Sequence, residues 1–280
     1  MDASVRDVTA RGVRIRVQDM GQGPTLVLVH GFLSNRRTWE DVVPELARHF
    51  RVIALDLPGF GESETPLPAK FRYDFSTFAE AILDVTAALD LARVTIVGHG
   101  LGGSAALSLA ATHPSVVEKL VLVSPLVYRA HNGFLLDAAA LPFFGRIAFK
   151  QLYGRGTFQR MLDVYGSDYT APPERLEDAF RRSASPATRE SAHATLVAMA
   201  DTRPLIALLP RVSVPTLVVW GREDRRHPVA YARKLARELN HARLEVFTCG
   251  HCPHEEKPTQ FCSVVREFLL PKKRTREARS

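Results

Sequence analysis

Residues 94–104, VTIVGHGLGGS, restrict the fold of this chain more than any other stretch. Val94, Ile96 and Val97 form a β-branched run suited to a buried strand, and Ala105, Ala106, Leu107 and Leu109 open a good helix-forming series. The chain therefore has to turn from strand to helix within a few glycine-rich residues. Turns of this kind with the pattern G-x-S-x-G lift a reactive side chain off the end of a strand, beside the free amide groups of the helix. Here the pattern reads Gly98-His99-Gly100-Leu101-Gly102, and the reactive position, Gly100, carries only hydrogen.

The same glycines match a second pattern. Gly98, Gly100 and Gly103 are spaced G-x-G-x-x-G, as in a dinucleotide-binding turn, which expects an acidic residue at the end of the following strand. That strand, Lys119 to Ser124, ends in a serine, so the choice falls to the rest of the chain.

Two alternating segments, Ser4 to Thr9 and Val13 to Asp19, predict a pair of strands with one wet face. Continuous apolar runs follow at Thr25 to Val29, Arg51 to Leu55, Val94 to Val97, Lys119 to Ser124 and Pro215 to Trp220, with a last strand at Arg243 to Phe247. Runs of this kind are buried on both faces. Helical periodicity lies between them: through Trp39, Val42, Val43, Leu46 and Ala47, from about Thr77 to Leu89, after Gly100, from Val229 to Leu239, and from about Thr259 to Leu269. This alternation predicts an α/β fold with an eight-stranded, mostly parallel sheet, helices on both faces, and ligands outside the carboxyl ends of the strands.

Residues 125–211 break the rhythm, with helical pattern and no buried strand. They carry Phe134, Phe143, Phe144, Phe149, Tyr153, Phe158, Tyr165, Tyr169 and Phe180. An inserted helical cap has this composition, and its aromatics would bind it to the sheet or line an apolar cavity. The expected organisation is a core of residues 1–124 and 212–270, a cap of 125–211 and a basic, disordered tail of 271–280.

The formal charge of +7 raises a nucleic-acid partner as a reading. Much of the excess lies in the tail, where Lys272, Lys273, Arg274, Arg276 and Arg279 face only Glu277, as in a solvated, frayed end. No nucleic-acid partner is expected. No apolar run is long enough to span a bilayer, and residues 1–10 lack the apolar region of a signal peptide, so a cytoplasmic protein without membrane insertion is expected. Cys249, His251, Cys252 and His254 are too crowded in sequence to surround one tetrahedral ion, so no metal is expected and the thiols are read as packing groups. No organic cofactor is implied, and the oligomeric state is not legible.

Five motifs in order resemble the α/β-hydrolase superfamily, in its branch with a helical cap between the sixth and seventh strands. They are His30-Gly31-Phe32, DLPGFGES at 56–63, GHGLGG at 98–103, GREDRRHP at 221–228 and GHCPHEEKP at 250–258, each at the carboxyl end of an expected strand. The resemblance runs from about Val13 to Leu270 and sets the dinucleotide reading aside. It implies Asp224 as the acid, His251 as the general base, and the backbone N–H groups of Phe32 and Leu101 as an oxyanion hole. Glu223, Glu255 and Glu256 are rival acids. His30, His99 and His254 are read as hydrogen-bonding groups, with Gly31, His99 and His254 as candidate substrate contacts. Ser104 and Ser124 are read as structural.

Gly100 departs from the family pattern and forbids covalent catalysis at that position. Three readings follow. One is an enzyme in which His251 and Asp224 activate water, or remove a substrate proton, for ester or C–C hydrolysis or for non-hydrolytic base chemistry on a small apolar or aromatic carbonyl compound. Another is a ligand-binding protein of the same fold that has lost turnover. The third is a serine hydrolase with its nucleophile replaced.

Overall fold

A computed structural model describes residues 3–128, 156, 165–166 and 168–270. The eight strands are β1 (Ser4–Ala10), β2 (Val13–Met20), β3 (Thr25–Val29), β4 (Arg51–Leu55), β5 (Val94–His99), β6 (Val117–Val123), β7 (Thr216–Gly221) and β8 (Ala242–Phe247). They form one sheet in the order β1-β2-β4-β3-β5-β6-β7-β8. The pairs β1/β2 and β2/β4 are antiparallel and all others parallel.

The period of two along the strands divides the core into two layers. Val27, Val29, Ile53, Leu55, Ile96 and Leu122 face one layer, with α1 (Phe75–Ala88), α2 (Leu101–Thr112) and, near β7 and β8, a helix at Val229–Glu238. Leu26, Leu28, Val52, Ala54, Val97 and Val123 face the other, with residues from Val43–Leu46 and the closing helix Pro258–Leu269. Strands apolar at every position thus bury both faces, as expected of a covered parallel sheet.

The periodic run from Trp39 to Ala47 does not form one helix. It divides into a 3-10 turn at Arg36–Trp39 and a short helix at Val43–Leu46. Pro44 accounts for the break, because a continuous helix would need its missing N–H, whereas the first turn of a new helix does not. Between β6 and β7, the described residues are helical at α3 (Pro173–Ser183) and α4 (Pro186–Met199). Phe134, Phe143, Phe144, Phe149, Tyr153 and Phe158 lie outside the described residues, as does the basic tail.

The loops at the carboxyl edge are tied to one another before any ligand is considered. Fully buried Asp56 accepts from the Arg36 backbone N–H and the Arg36 guanidinium, both at 2.6 Å, and from the Glu62 N–H at 2.9 Å. His30 bridges the same loops: Nδ1–H donates to Gly31 O at 2.7 Å, and Nε2 accepts from the Leu57 N–H at 2.9 Å. Asp56→Ala leaves the buried Arg36 guanidinium with only the half-buried Glu62, 3.1 Å away, as a charge partner and frees two backbone amides, and is expected to cost about 3 kcal/mol, read as a lower denaturation midpoint. A midpoint unchanged from the parent would contradict this role.

Four imidazoles near this edge, His30, His99, His227 and His254, are buried. Burial lowers the pKa of each, that of His227 to about 3. In the unfolded chain these side chains titrate near ~6.5. Between that value and the lowered folded values, the unfolded chain binds more protons, so stability rises with pH. Tm should therefore fall on acidification from about pH 7 to about pH 5, within the window these lowered values define. A flat Tm over that window would show that the rings are carried charged.

Candidate active site

The turn after β5 is set by close packing. The Gly102 N–H donates to His30 O at 3.1 Å, and a Cβ on Gly102 would run into the carbonyl oxygens of Val29 and His30. Glycine at 102 lets α2 start directly against the end of β3. Gly100 lies at φ +50°, ψ −115°, a conformation that side-chain-bearing residues rarely adopt. Space for a side chain is present: a Cβ there would meet Gly31 Cα at 3.6 Å and His251 Nε2 at 3.8 Å, both ordinary contacts.

His251 arrives on the loop after β8 and Asp224 on the loop after β7. Their bond, His251 Nδ1 to Asp224 Oδ2, is 2.7 Å and buried. Asp224 Oδ1 accepts from the backbone N–H groups of Arg226 at 2.9 Å and His227 at 2.8 Å. Burial opposes ionisation of Asp224, but the charge and hydrogen bond of His251, helped by His227, hold the carboxyl below the usual carboxylate range. With Asp224 ionised, the proton of the short bond sits on His251 Nδ1, and Nε2 faces Gly100, an acceptor when the ring is neutral. The rival carboxylates have other tasks. Glu256 accepts from the amides of Gly166, Gly250 and Cys252 at 2.9, 2.8 and 3.1 Å, so it clamps the loop that carries His251. Glu255 accepts from Thr38, from Tyr165 at 2.7 Å and from Arg175 at 3.1 Å.

A cavity of about 90 Å³ opens beside Gly100. That is room for several waters or a small ligand group. Gly31, Phe32, Leu101, His99 and His251 line it, with Leu126, Leu196 and Met199 as apolar wall. Among the described residues, the backbone N–H groups of Phe32 and Leu101 have no protein acceptor. Leu101 is the first residue of α2, where helix amides are free and the dipole favours negative charge.

Of the expected substrate contacts, Gly31 and His99 line the cavity and His254 does not. His254 is fully buried behind them, its ring 4.2 Å from Trp39 and 4.7 Å from His99, with Nε2 3.0 Å from the Thr38 hydroxyl. Ser104 donates to Leu126 O at 2.7 Å, which commits its hydroxyl to the backbone. Cys252 lines the cavity, but burial pushes its thiol well above the usual range and keeps it protonated. All three cysteines are free and buried.

Tyr165, one of the aromatics expected to pack against the sheet or line a cavity, does line this one; sequence reasoning missed His227 and Thr38, which also line it. His227 lies only three positions after Asp224 in sequence, and that proximity was the available signal. Asp224, His227 and His251 have ligand-type atoms within 4.8 Å of one another, a spacing that invites a divalent ion. Both carboxylate oxygens and both Nδ1 atoms are already engaged, however. His251 Nδ1 and Asp224 Oδ2 are bonded to each other, Asp224 Oδ1 holds two amides, and His227 Nδ1 donates to Ser124 O at 3.2 Å. An ion held by all three residues would have to displace a hydrogen bond of Asp224, so the set fits a hydrogen-bonded relay better than a metal centre.

Comparison with known proteins agrees with this architecture. Residues 24–258 match the family described as alpha/beta hydrolase fold. The chain is 32% identical to 2-hydroxymuconate semialdehyde hydrolase of Pseudomonas sp. (strain CF600), over 94% of this chain and 93% of the relative. Among solved structures, an esterase from Exiguobacterium antarcticum superposes with a TM-score of 0.81 at 26% identity, covering 95% of this chain and 99% of the other. A serine hydrolase involved in carbazole degradation gives 0.81 at 25%, covering 96% and 99%. With the strand order, the motif positions and these similarities in agreement, the chain belongs to the α/β-hydrolase family.

Proposed function

We propose that this protein hydrolyses a small carbonyl compound, at an ester or C–C bond, by direct attack of water and without a bond to the enzyme. The observation that carries the reading is the open space at Gly100, faced by an imidazole whose far nitrogen is already bonded to a carboxylate. Water in that space gives a proton to His251 Nε2 while its oxygen bonds to the carbonyl carbon. The carbonyl π pair moves onto oxygen, where the Phe32 and Leu101 amides stabilise the negative charge. The tetrahedral centre then collapses, and the proton on His251 passes to the departing oxygen or carbon. Atoms and charge balance as simple hydrolysis.

Leu126, Leu196 and Met199 support an apolar substrate body, and Leu196 and Met199 come from α4, in the stretch 125–211 that we assign as the cap. The similarity to 2-hydroxymuconate semialdehyde hydrolase supports a carbonyl-bearing substrate and a hydrolytic outcome. Magnitudes bound the claim. Binding and an oxyanion hole without the nucleophile leave roughly 10³–10⁴ over water in serine proteases, and a working base adds to that.

Two measurements test this. With 4-nitrophenyl acetate as probe, His251→Ala is expected to lower turnover by about 10²-fold or more; equal turnover in both proteins sinks the reading. Gly100→Ser is expected to become labelled by a fluorophosphonate, which leaves the parent unlabelled, and to show a burst of acylation. Because the introduced side chain would sit on a backbone at φ +50°, this variant should also be less stable by about 1–3 kcal/mol. Labelling of the parent would overturn the non-covalent route.

A further inference from the structure

A serine oxygen is tethered by its own side chain, whereas a water in the same space has no tether. One hydrogen bond, to His251 Nε2, leaves such a water free to swing, and a freely swinging nucleophile loses much of the advantage of a bound geometry. A productive water needs a second fixed acceptor, so that one hydrogen goes to the base, the other is held, and a lone pair faces the carbonyl.

His227 has the properties of that acceptor. It lines the same cavity as Gly100 and His251, and its ring stands perpendicular to His251 (89°) with centroids 4.9 Å apart. Its Nδ1–H donates to Ser124 O, which leaves Nε2 as the ring's acceptor. Its place is locked to the acid: the His227 N–H donates to Asp224 Oδ1, and His227 O accepts from Trp220 Nε1 at 2.8 Å. Burial, reinforced by the neighbouring His251, keeps the ring neutral at ordinary pH, so Nε2 is available to accept. The other cavity imidazole, His99, is less suited, because Nε2 is spent on His251 O at 3.2 Å and Nδ1 is buried against Gly31.

We infer that His227 is a positioning residue that accepts the second hydrogen of the water beside Gly100 and so aims its lone pair at the substrate. This rests on the water-based reading above. In the attack, the proton on the His251 side is transferred and the one on the His227 side stays on oxygen, so His227 neither gains nor loses a proton.

The test combines crystallography of the full chain with turnover of 4-nitrophenyl acetate. A crystal structure of the parent is expected to show an ordered water within hydrogen-bond reach of Nε2 of both His251 and His227, absent in His227→Phe. His227→Phe should lose about 10-fold or more in kcat with KM within about 2-fold, and His227→Gln, which keeps an acceptor, should recover most of that loss. In a Gly100→Ser background, His227→Phe should leave the acylation burst intact, because the nucleophile is then tethered; this also shows that the phenyl ring does not disrupt the fold. A water bound to His251 alone, no water, or full kcat in His227→Phe overturns the inference. Loss of turnover in His251→Ala but not in His227→Phe removes only the role of His227. Full turnover in His251→Ala removes the water-based reading itself.

Discussion

The contact between the start of α2 and the end of β3 governs the rest of this molecule. Gly102 rests on the carbonyls of Val29 and His30 closely enough to hydrogen-bond the second of them. That approach brings the first amide of a twelve-residue helix into the same cavity wall as the amide of Phe32, on the turn after β3. Both donors are unspent among the described residues, and no side chain at Gly102 holds the two segments apart. The approach also makes Gly100 the apex of the turn, held at a backbone angle that no tether other than the sheet and helix enforces.

Opposite this pair of donors, two loops from neighbouring strands deliver Asp224 and His251. Since β7 and β8 pair in parallel register from Thr216 and Ala242 to Gly221 and Phe247, their loops leave the sheet at the same level. The short hydrogen bond between the two side chains follows from that register and is not built by either loop alone. A charged carboxylate so deep in the protein is sustained by directed partners: one imidazole and two amides.

Much of this could be read from the amino-acid order, because a doubly buried strand announces itself as an uninterrupted apolar run, and all eight strands fall where such runs or alternations stand. Asp224 and His251 were picked out by the family resemblance of the motifs that hold them, and the fold brings the two side chains together. The failures have equally specific causes. Trp39, Val42, Val43, Leu46 and Ala47 carry helical spacing because they face one core layer, yet Pro44 forbids a continuous helix, and periodicity does not register a missing amide. His227 was overlooked because imidazoles one turn from an acid occur in many loops, and its value here comes from a strand neighbour, Ser124, about a hundred positions away. Thr38, Tyr165 and Glu255 converge from three distant segments, a meeting that only the fold creates.

Glu256 illustrates how far such convergence reaches. One carboxylate gathers the amides of Gly250 and Cys252, which flank His251, and also the amide of Gly166, beside the cavity-lining Tyr165. The loop that carries His251 and the neighbour of one cavity-lining residue therefore hang on a single peg. A shift of the Gly166 amide would then act on the same carboxylate that fixes the amides on either side of His251.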